Sequence, residues 1–405
     1  MKEAIAILTG GGPAPGMNTV VGSVAKTFLA KGYRVIGLHY GYSGLFNPNP
    51  RFEDMDFVKS DFIFNQGGSY LTMSRFKPTD KDFEENFNLS FFQDNNIKLL
   101  VTVGGDDTAS TANRIAKFLE AKQYPIANIH VPKTIDNDLA LTDHTPGFGS
   151  AAKYIGTSMK EIIRDGFCLE YPKGLVTIVE IMGRNAGWLT GAAALSKGED
   201  CEGPDLIYLP ELTFDINNFK SRVEKLLKKK TSVVIAVSEG IRTADGNYVC
   251  ELGKDINFVD SFGHKQLSGT ASYLAHYIAA ELGAKTRAIE LSTLQRAGSH
   301  LASRVDILEA YQVGGAAVKA ADEGDSGMMV TLERTSEDPY QAQTAVKNVH
   351  KIANVEKKVP REWITEDGTY VTPEFVNYIR PLIQAELTAI MVDGLPRHLY
   401  YREDR

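Results

Sequence analysis

Three loops of glycines and polar residues, each preceded by a short apolar run, have residue types that suit the binding of phosphate and a divalent cation. The first contains Gly10, Gly11 and Gly12. Glycine lets the backbone approach a ligand closely, and the N–H groups at the start of a following helix attract phosphate. A dinucleotide-binding loop is excluded because Pro15 stands where its third glycine would be needed. The alternative is a tight strand-to-helix turn that binds nothing.

The second loop places two carboxylates directly after two glycines, in the order Gly104-Gly105-Asp106-Asp107. Proteins bind Mg²⁺ through one or two carboxylates together with the phosphate oxygens of a substrate. This loop therefore predicts a magnesium site, with helix capping by either aspartate as the alternative.

The third loop combines one cation, one hydroxyl and two carboxylates at Lys133, Thr134, Asp136 and Asp138. A solvated polar loop can have the same composition. Its position after an apolar run, in a chain that also has the two glycine loops, favours a role in catalysis over that alternative.

Arginines stand close to the ends of later apolar runs, at Arg184, Arg287 and Arg296. A guanidinium binds a phosphate group through two parallel hydrogen bonds. A single arginine is usually a surface residue. Three of them in such positions, beside loops suited to phosphate and metal, indicate a phosphorylated substrate.

The elements that must position these residues follow from hydrophobic patterning. Short apolar runs alternate with stretches of helical periodicity, which is typical of α/β proteins with parallel sheets. Strands are predicted at 4–8, 34–38, 98–103, 126–131, 174–181, 206–209, 232–237, 286–291 and 327–332. Ligands of such sheets lie beyond the carboxyl ends of the strands, where the loops described above are found.

The same pattern predicts how the chain is organised. We expect two α/β lobes at 1–140 and 141–332, with the chain crossing between them, and a C-terminal extension at 333–405. The extension has polar, turn-rich stretches at 336–343 and 356–372 and a predicted helix at 373–389. It contains no motif that indicates a function.

Composition narrows the class of protein. The 405 residues include 44 Lys and Arg against 51 Asp and Glu, for a net charge of −7, which argues against nucleic-acid binding. No stretch approaches the ~20 apolar residues of a membrane span. The 3 cysteines are widely spaced and suit a reducing compartment. With no recognisable signal peptide, a cytoplasmic enzyme is expected.

Taken in order, the Gly-Gly-Asp, Thr-Ile-Asp-Asn-Asp, Met-Gly-Arg and Gln-Arg motifs closely resemble those of the phosphofructokinase family, over residues 4 to about 330. The resemblance implies two doubly wound, mainly parallel α/β lobes with the active site in the cleft between them. It also implies phosphoryl transfer to the 1-hydroxyl of fructose 6-phosphate, a reaction of glycolysis that requires Mg²⁺. The first lobe would bind the phosphoryl donor and Mg²⁺, and the second the sugar phosphate.

The resemblance also implies individual roles. Gly12 and Arg75 would bind the donor, and Asp106 would hold Mg²⁺. Asp136 would take the proton from the sugar hydroxyl, with Asp138 supporting the same site. The implied contacts of the sugar phosphate are Thr134, Ile135, Asp136, Met182, Gly183, Arg184, Glu239, Arg287, Thr293, Leu294, Gln295 and Arg296. Of these, Arg287 resembles an arginine that reaches a neighbouring subunit, which implies a homodimer or homotetramer.

Several features set the chain apart from the ATP-using members of the family. Pro13, Asp107 and Lys133 resemble the diphosphate-dependent branch, as does the Phe-Gly-His sequence at 262–264. In that branch Asp107 would exclude ATP, and Lys133 would meet the diphosphate and the charge that grows on the leaving phosphate. Thr293 stands where ATP-using members often have histidine, which leaves the sugar phosphate open.

Three functions are compatible with this sequence. The first is a diphosphate-dependent phosphofructokinase. The second is a related enzyme that uses ATP as donor, or another acceptor such as sedoheptulose 7-phosphate. The third is a non-catalytic subunit that binds phosphorylated ligands, which the intact set of Asp106, Asp136, Asp138 and Arg184 argues against.

Overall fold

The computed structural model describes residues 3–253, 269–349 and 356–398, apart from the side chain of Asp106. Its strands are β1 (Ala4–Thr9), β2 (Arg34–Leu38), β3 (Phe52–Asp54), β4 (Ile97–Gly104), β5 (Ala127–Pro132), β6 (Leu175–Ile181), β7 (Leu206–Tyr208), β8 (Ser232–Ser238), β9 (Lys285–Glu290), β10 (Met328–Glu337), β11 (Tyr340–Asn348), β12 (Met391–Val392) and β13 (Leu395–Pro396). Its α-helices are α1 (Met17–Ala30), α2 (Gly41–Leu45), α3 (Phe57–Phe62), α4 (Asp80–Glu85), α5 (Leu89–Asp94), α6 (Asp106–Ala121), α7 (Phe148–Phe167), α8 (Trp188–Gly191), α9 (Ile216–Leu227), α10 (Thr270–Leu282), α11 (Leu294–Ala297), α12 (Arg304–Asp322) and α13 (Pro373–Ile379). No helix in these ranges is both long and apolar enough to span a bilayer.

The first sheet has the strand order β11-β10-β5-β4-β1-β2-β3. Its centre is parallel, and the two edge strands β11 and β3 are antiparallel to their neighbours. Every residue of β1 is buried, because helices cover both faces of the sheet. One face packs against α1 and α12, and the other against a cluster rich in phenylalanine.

The second sheet is wholly parallel, with the order β7-β8-β6-β9. Its central strand β6 is buried throughout. Side chains of α9 and α10 pack against one face, and α7 and the C-terminal segment pack against the other. The predicted α/β fold with mainly parallel sheets is therefore confirmed.

The sheets do not follow the predicted ranges of the lobes. β10 begins at Met328, pairs in parallel with β5, and continues through residue 332 to Glu337. Together with β11 it belongs to the first sheet, so residues 328–348 belong neither to the second lobe nor to a separate extension. The polarity of 336–343, which predicted turns, reflects an edge strand whose residues are mostly exposed or half-buried.

The segment from Lys357 to Ile383 is part of the core. Val359, Ile364, Val371, Phe375 and Ile379 are buried in the same cluster as α7 and α8. The predicted helix at 373–389 is shorter than expected: α13 ends at Ile379, and a 3-10 turn follows over Arg380–Ile383. Pro381 explains the early end, because proline has no N–H to continue the helix.

Candidate active site

A cavity of about 660 Å³ opens where the carboxyl ends of the two sheets face each other. Loops after β1, β4 and β5 line it from one side, and loops after β6, β8 and β9 from the other. The predicted site residues that line it are Gly12, Arg75, Asp107, Lys133, Thr134, Ile135, Asp136, Asp138, Met182, Arg184, Glu239, Thr293, Gln295 and Arg296. The structure thus brings together residues that lie up to 284 positions apart in the sequence (296 − 12).

Two glycines allow the first two loops to pack around a single threonine. A Cβ on Gly10, or on Gly104, would lie only 2.6 Å from the Thr108 Oγ1 atom. Thr108 is buried at the start of α6. A side chain at either glycine would therefore push the loop after β1 away from the segment that contains Asp106 and Asp107.

Gly12 makes room for an arginine from the opposite side of the cavity. A Cβ on Gly12 would lie 3.1 Å from Nη1 of Arg296, which belongs to α11. The Nε atom of Arg296 is buried without a hydrogen-bond partner within the described part of the chain. Burial, and then the charge of Arg75, lower the pKa of Arg296. A phosphate at this point would satisfy both guanidinium groups.

Asp107 lies at the mouth of the cavity and forms an ion pair. Lys77 Nζ donates to its Oδ1 at 2.9 Å, and both side chains are about half exposed. Sequence reasoning missed Lys77, which follows the predicted Arg75 by two positions and lines the same cavity. The side chain of Asp106, the predicted metal ligand, lies outside what the structure describes, so its role stays a prediction.

Lys133 is an ammonium held inside the protein. Its side chain is 1% exposed, and its backbone N–H donates to Gly104 O at 3.0 Å. Among the described residues its Nζ has no hydrogen-bond partner. Burial lowers the pKa of Lys133 to about 7, although Asp306 opposes that shift. Gly147 leaves the space: its φ is +103°, and a Cβ there would lie 3.0 Å from Nζ.

Asp136 lies among three arginines and beside a hydroxyl. Its backbone N–H donates to Thr134 Oγ1 at 3.1 Å, and the same hydroxyl donates to Asp136 Oδ2 at 3.3 Å. Burial raises the pKa of Asp136, while Thr134, Arg296, Arg184 and Arg75 act in the opposite direction. A carboxylate with a raised pKa beside several cations suits a general base acting next to a phosphate.

Acidic residues also line the side of the second sheet. Burial raises the pKa of Glu239 to about 7, and the charges of Asp136 and Glu180 add to the rise. Burial likewise raises the pKa of Glu180 to about 7. Its Oε2 accepts the N–H of Ala271 at 2.9 Å, so that this carboxylate caps the start of α10.

Two acidic residues that line this side, Glu180 and Glu290, had no predicted role. Glu180 precedes the Met-Gly-Arg motif in the sequence, but its side chain serves partly to cap a helix. Glu290, at the end of β9, lines the cavity and pairs in register with Glu180. Its placement depends on the pairing of β6 with β9, which the sequence does not show.

Three predicted substrate contacts do not line the cavity. Gly183 contributes instead through its backbone, whose N–H donates to Glu239 Oε1 at 3.4 Å. Leu294 is 59% exposed, whereas the next residue, Gln295, is buried and accepts the N–H of Met182. Arg287 pairs at the surface with Asp165, at 2.5 Å. Residues 262–264 lie outside the described ranges.

Comparisons with known proteins identify relatives of this chain. Residues 4–321 match the family model described as phosphofructokinase. A pyrophosphate–fructose 6-phosphate 1-phosphotransferase of Halomonas elongata is 40% identical over 309 residues, covering 76% of this chain and 73% of that protein. The Rhodospirillum rubrum protein of the same name is 33% identical over 392 residues, 94% of each chain.

A solved structure extends the likeness to almost the whole fold. The pyrophosphate-dependent phosphofructokinase of Nitrosospira multiformis superposes with a TM-score of 0.86 at 31% identity, covering 98% of this chain and 96% of that one. The sequence motifs, the paired parallel sheets and the family match from residue 4 to 321 point the same way, and this chain belongs to the phosphofructokinase family.

Proposed function

We propose that this protein reversibly transfers a phosphoryl group from diphosphate to the 1-hydroxyl of fructose 6-phosphate, giving fructose 1,6-bisphosphate and phosphate. The observation that carries the proposal is Lys133: a buried ammonium, without a partner in the described chain, that lines a cavity also lined by Asp136. An anion of high charge density is the ligand that suits such a site. The names of the relatives, which specify pyrophosphate, support this donor.

Asp107 disfavours the competing donor. The family resemblance places its carboxylate where an ATP-using member accommodates the α-phosphate. Two like charges ~4 Å apart repel by about 4 kcal/mol at an effective dielectric constant near 20, roughly a thousandfold in affinity. The ion pair with Lys77 offsets part of that repulsion. We therefore expect the charge of Asp107 to weaken the affinity for ATP by roughly ten- to a hundredfold.

Residues on the two sides of the cavity have different roles in phosphoryl transfer. Asp136 takes the proton of the attacking 1-hydroxyl, and its raised pKa suits a base that must later return that proton in the reverse reaction. Arg75 and Arg296 neutralise the phosphoryl oxygens as charge is redistributed. Lys133 meets the charge that develops on the departing phosphate, and Arg184 and Glu239 orient the sugar phosphate.

The lining suits Mg²⁺ as cofactor. Within the described ranges no group of three or more His, Cys, Asp or Glu side chains is arranged around a metal position. Mg²⁺ needs only one or two carboxylates when phosphates supply other oxygens, and Asp107, Asp136 and Asp138 bring carboxylates to the cavity. We assign the ion to Asp106. When bound, it would neutralise charge on the transferring phosphate.

We further propose a cytoplasmic homo-oligomer, a dimer or tetramer, that acts in glycolysis. The three cysteines are free thiols in the described structure, which suits a reducing compartment. Arg287 lies outside its own cavity, on the edge strand β9, and we propose that it reaches a neighbouring subunit.

An activity panel tests the proposal. Diphosphate and ATP are each supplied with fructose 6-phosphate and with sedoheptulose 7-phosphate, in the presence of Mg²⁺, with Asp136→Asn protein as the background control. Turnover should be strongest with diphosphate and fructose 6-phosphate and should cease in excess chelator. A preference for ATP would overturn the roles of Asp107 and Lys133, and a preference for the longer sugar would overturn the acceptor.

Two variants separate charge from bulk at Asp107. Asp107→Asn removes the charge and keeps the size, whereas Asp107→Gly removes both. We expect the ratio of kcat/KM for ATP to that for diphosphate to rise about tenfold or more in the first and further in the second. An unchanged ratio in both variants would remove Asp107 from donor selection.

A further inference from the structure

The backbone conformation of the loop that contains Asp136 and Asp138 depends on contacts with the surrounding structure. Asn137 and Leu141 adopt left-handed conformations, with φ of +54° and +65°. Residues other than glycine keep such conformations only where surrounding structure holds them. The contacts around this loop therefore decide where its two carboxylates point.

Lys357 supplies a large share of these contacts through its side chain. Its Nζ donates to Asn137 Oδ1 at 3.4 Å, to Thr142 O at 3.3 Å and to Asp143 O. Three oxygens from one loop thus converge on one ammonium. Since two of them are backbone carbonyls on the far side of Leu141, the ammonium ties both halves of the loop together.

The backbone of the same residue pairs with the loop as a short strand would. The N–H of Lys357 donates to Asp138 O at 2.7 Å, and Glu356 forms an antiparallel bridge with Leu139. The backbone of this short segment therefore holds Asp138 and Leu139, which lie between the two left-handed residues Asn137 and Leu141.

Lys357 is in turn held rigidly by the core. Trp188 Nε1 donates to Lys357 O at 2.8 Å, and Nζ lies 5.1 Å from the centre of the Trp188 ring. Tyr378 completes the arrangement, because its OH donates to Asp143 O at 2.5 Å and accepts from Asn137 Nδ2 at 3.2 Å. Burial lowers the pKa of Lys357 to about 8, against the opposing charges of Asp143 and Asp138.

We propose that Lys357 is a positioning residue for phosphoryl transfer, which fixes the Asp136–Asp138 segment through the oxygens of its loop. The inference rests on the proposed function for what the loop does. Lys357 lies beyond residue 321, where the family match ends. The C-terminal segment thereby acquires a role in the reaction as well as in the core.

The role predicts a separation of kcat from KM. Lys133 is anchored independently to β4 through Gly104, and the arginines come from other loops. Loosening the loop should therefore displace the base more than the phosphate-binding groups. Lys357→Met removes the ammonium but keeps the length, and misplacement of a catalytic group by ~1 Å costs up to about 10²-fold. We expect kcat to fall ~10- to 100-fold, with each KM within about threefold of wild type.

The matched control is the next residue. Lys358→Met removes an exposed lysine with the same change of side chain, and it should leave kcat and both KM values unaltered. Tyr378→Phe removes a second support of the same loop and should lower kcat in the same direction. If Lys357→Met does not fold, the test rests on Tyr378→Phe. A kcat of Tyr378→Phe within about twofold of wild type would then overturn the proposal.

Hydrogen exchange separates this inference from the proposed function. Amides of residues 134–145 should exchange faster in Lys357→Met than in wild type or Lys358→Met, whichever substrates the enzyme uses. The positioning role would be overturned if the exchange of these amides did not change in Lys357→Met. It would also be overturned if kcat did not change in either Lys357→Met or Tyr378→Phe. A wild type that is inactive with diphosphate, together with accelerated exchange, would instead overturn the proposed function and leave the support of the loop established.

Discussion

Asp136 is a carboxylate whose local chemistry is set by two opposing influences, burial and the cations that surround it. Burial prevails and raises its pKa. Asp136→Asn keeps the shape of the side chain but cannot accept the proton of the sugar hydroxyl. We expect kcat in steady-state assays to fall by ~10²-fold or more, with much smaller changes in KM.

The control for this variant is an exposed aspartate that does not line the cavity. Asp80 is 97% exposed and pairs with Arg114 at the surface, so Asp80→Asn should keep wild-type rates. A kcat close to wild type in Asp136→Asn would assign the proton to another group.

Lys133 gives the binding of diphosphate a pH dependence with a definite sign. Burial lowers its pKa to about 7 in the protein without diphosphate. An anion favours the charged form, so binding raises this pKa and takes up a proton above pH 7. The affinity should therefore fall as the pH rises above 7, by up to about tenfold per pH unit.

Titration calorimetry measures the dissociation constant of diphosphate from pH 6 to 9. Repeating the titration in buffers of different ionisation enthalpy measures the proton uptake on binding. Lys133→Met controls for the titration of diphosphate and of the cavity carboxyls Glu180 and Glu239, because only Lys133 is removed. Equal pH dependence in the two proteins would show that Lys133 does not change its charge when diphosphate binds.

At the residue scale, most of the site residues predicted from the sequence line the cavity, because they follow strands whose carboxyl ends meet there, while their roles stay predictions. The sequence did not predict Lys77 or Glu290, each of which reaches the cavity through a tertiary arrangement. The same holds for Leu294 and Gln295: a short helix turns one side chain to the solvent and buries its neighbour, and the motif alone does not say which.

At the element scale, the C-terminal segment packs tightly against α8. A Cβ on Gly191 would lie 2.4 Å from Cζ of Phe375, which is fully buried. Gly191→Ala should therefore displace Phe375 and lower the free energy of unfolding by about 1–3 kcal/mol. A thermal melt would show the loss as a lower Tm.

Gly315→Ala is the matched control, since the added Cβ in α12 would meet nothing within 4 Å. It should leave the Tm unchanged or raise it, because alanine favours helix more than glycine does. An equal Tm for both variants would mean that Phe375 can shift at no cost.

At the element scale, alternation of apolar runs with helical stretches predicted the central strands and helices close to their observed bounds. It failed for β11, whose residues are polar because one side of an edge strand faces solvent. It also placed β10 in the wrong lobe. Patterning indicates that a strand exists, but its sheet is decided by pairing over nearly 200 positions, as between Met328 and Ile129.

At the scale of the whole molecule, the position of Arg287 predicts complementation between subunits. If Arg287 completes the sugar site of a neighbour, Arg287→Ala and Asp136→Asn proteins damage different contributors to one site. Mixing them should restore roughly a quarter of wild-type activity, since half of the dimers are mixed and one of their two sites is intact.

The measurement is the initial rate after the two variants are unfolded together and refolded, with each variant treated alone as the control. An activity no higher than the mean of the two would mean that Arg287 serves no neighbouring site.

The crossing of the chain between sheets has a consequence for synthesis on the ribosome. β1, β4 and β5 emerge first, but the strand that covers β5 begins only at Met328, and Ser23 of α1 bonds to Tyr311 of α12. The second sheet must therefore be made before the first can be finished. Until then the nascent chain exposes the unpaired backbone edge of β5 and lacks the segment that holds the loop of Asp136. We therefore expect it to be prone to aggregation, and inactive, until translation is nearly complete.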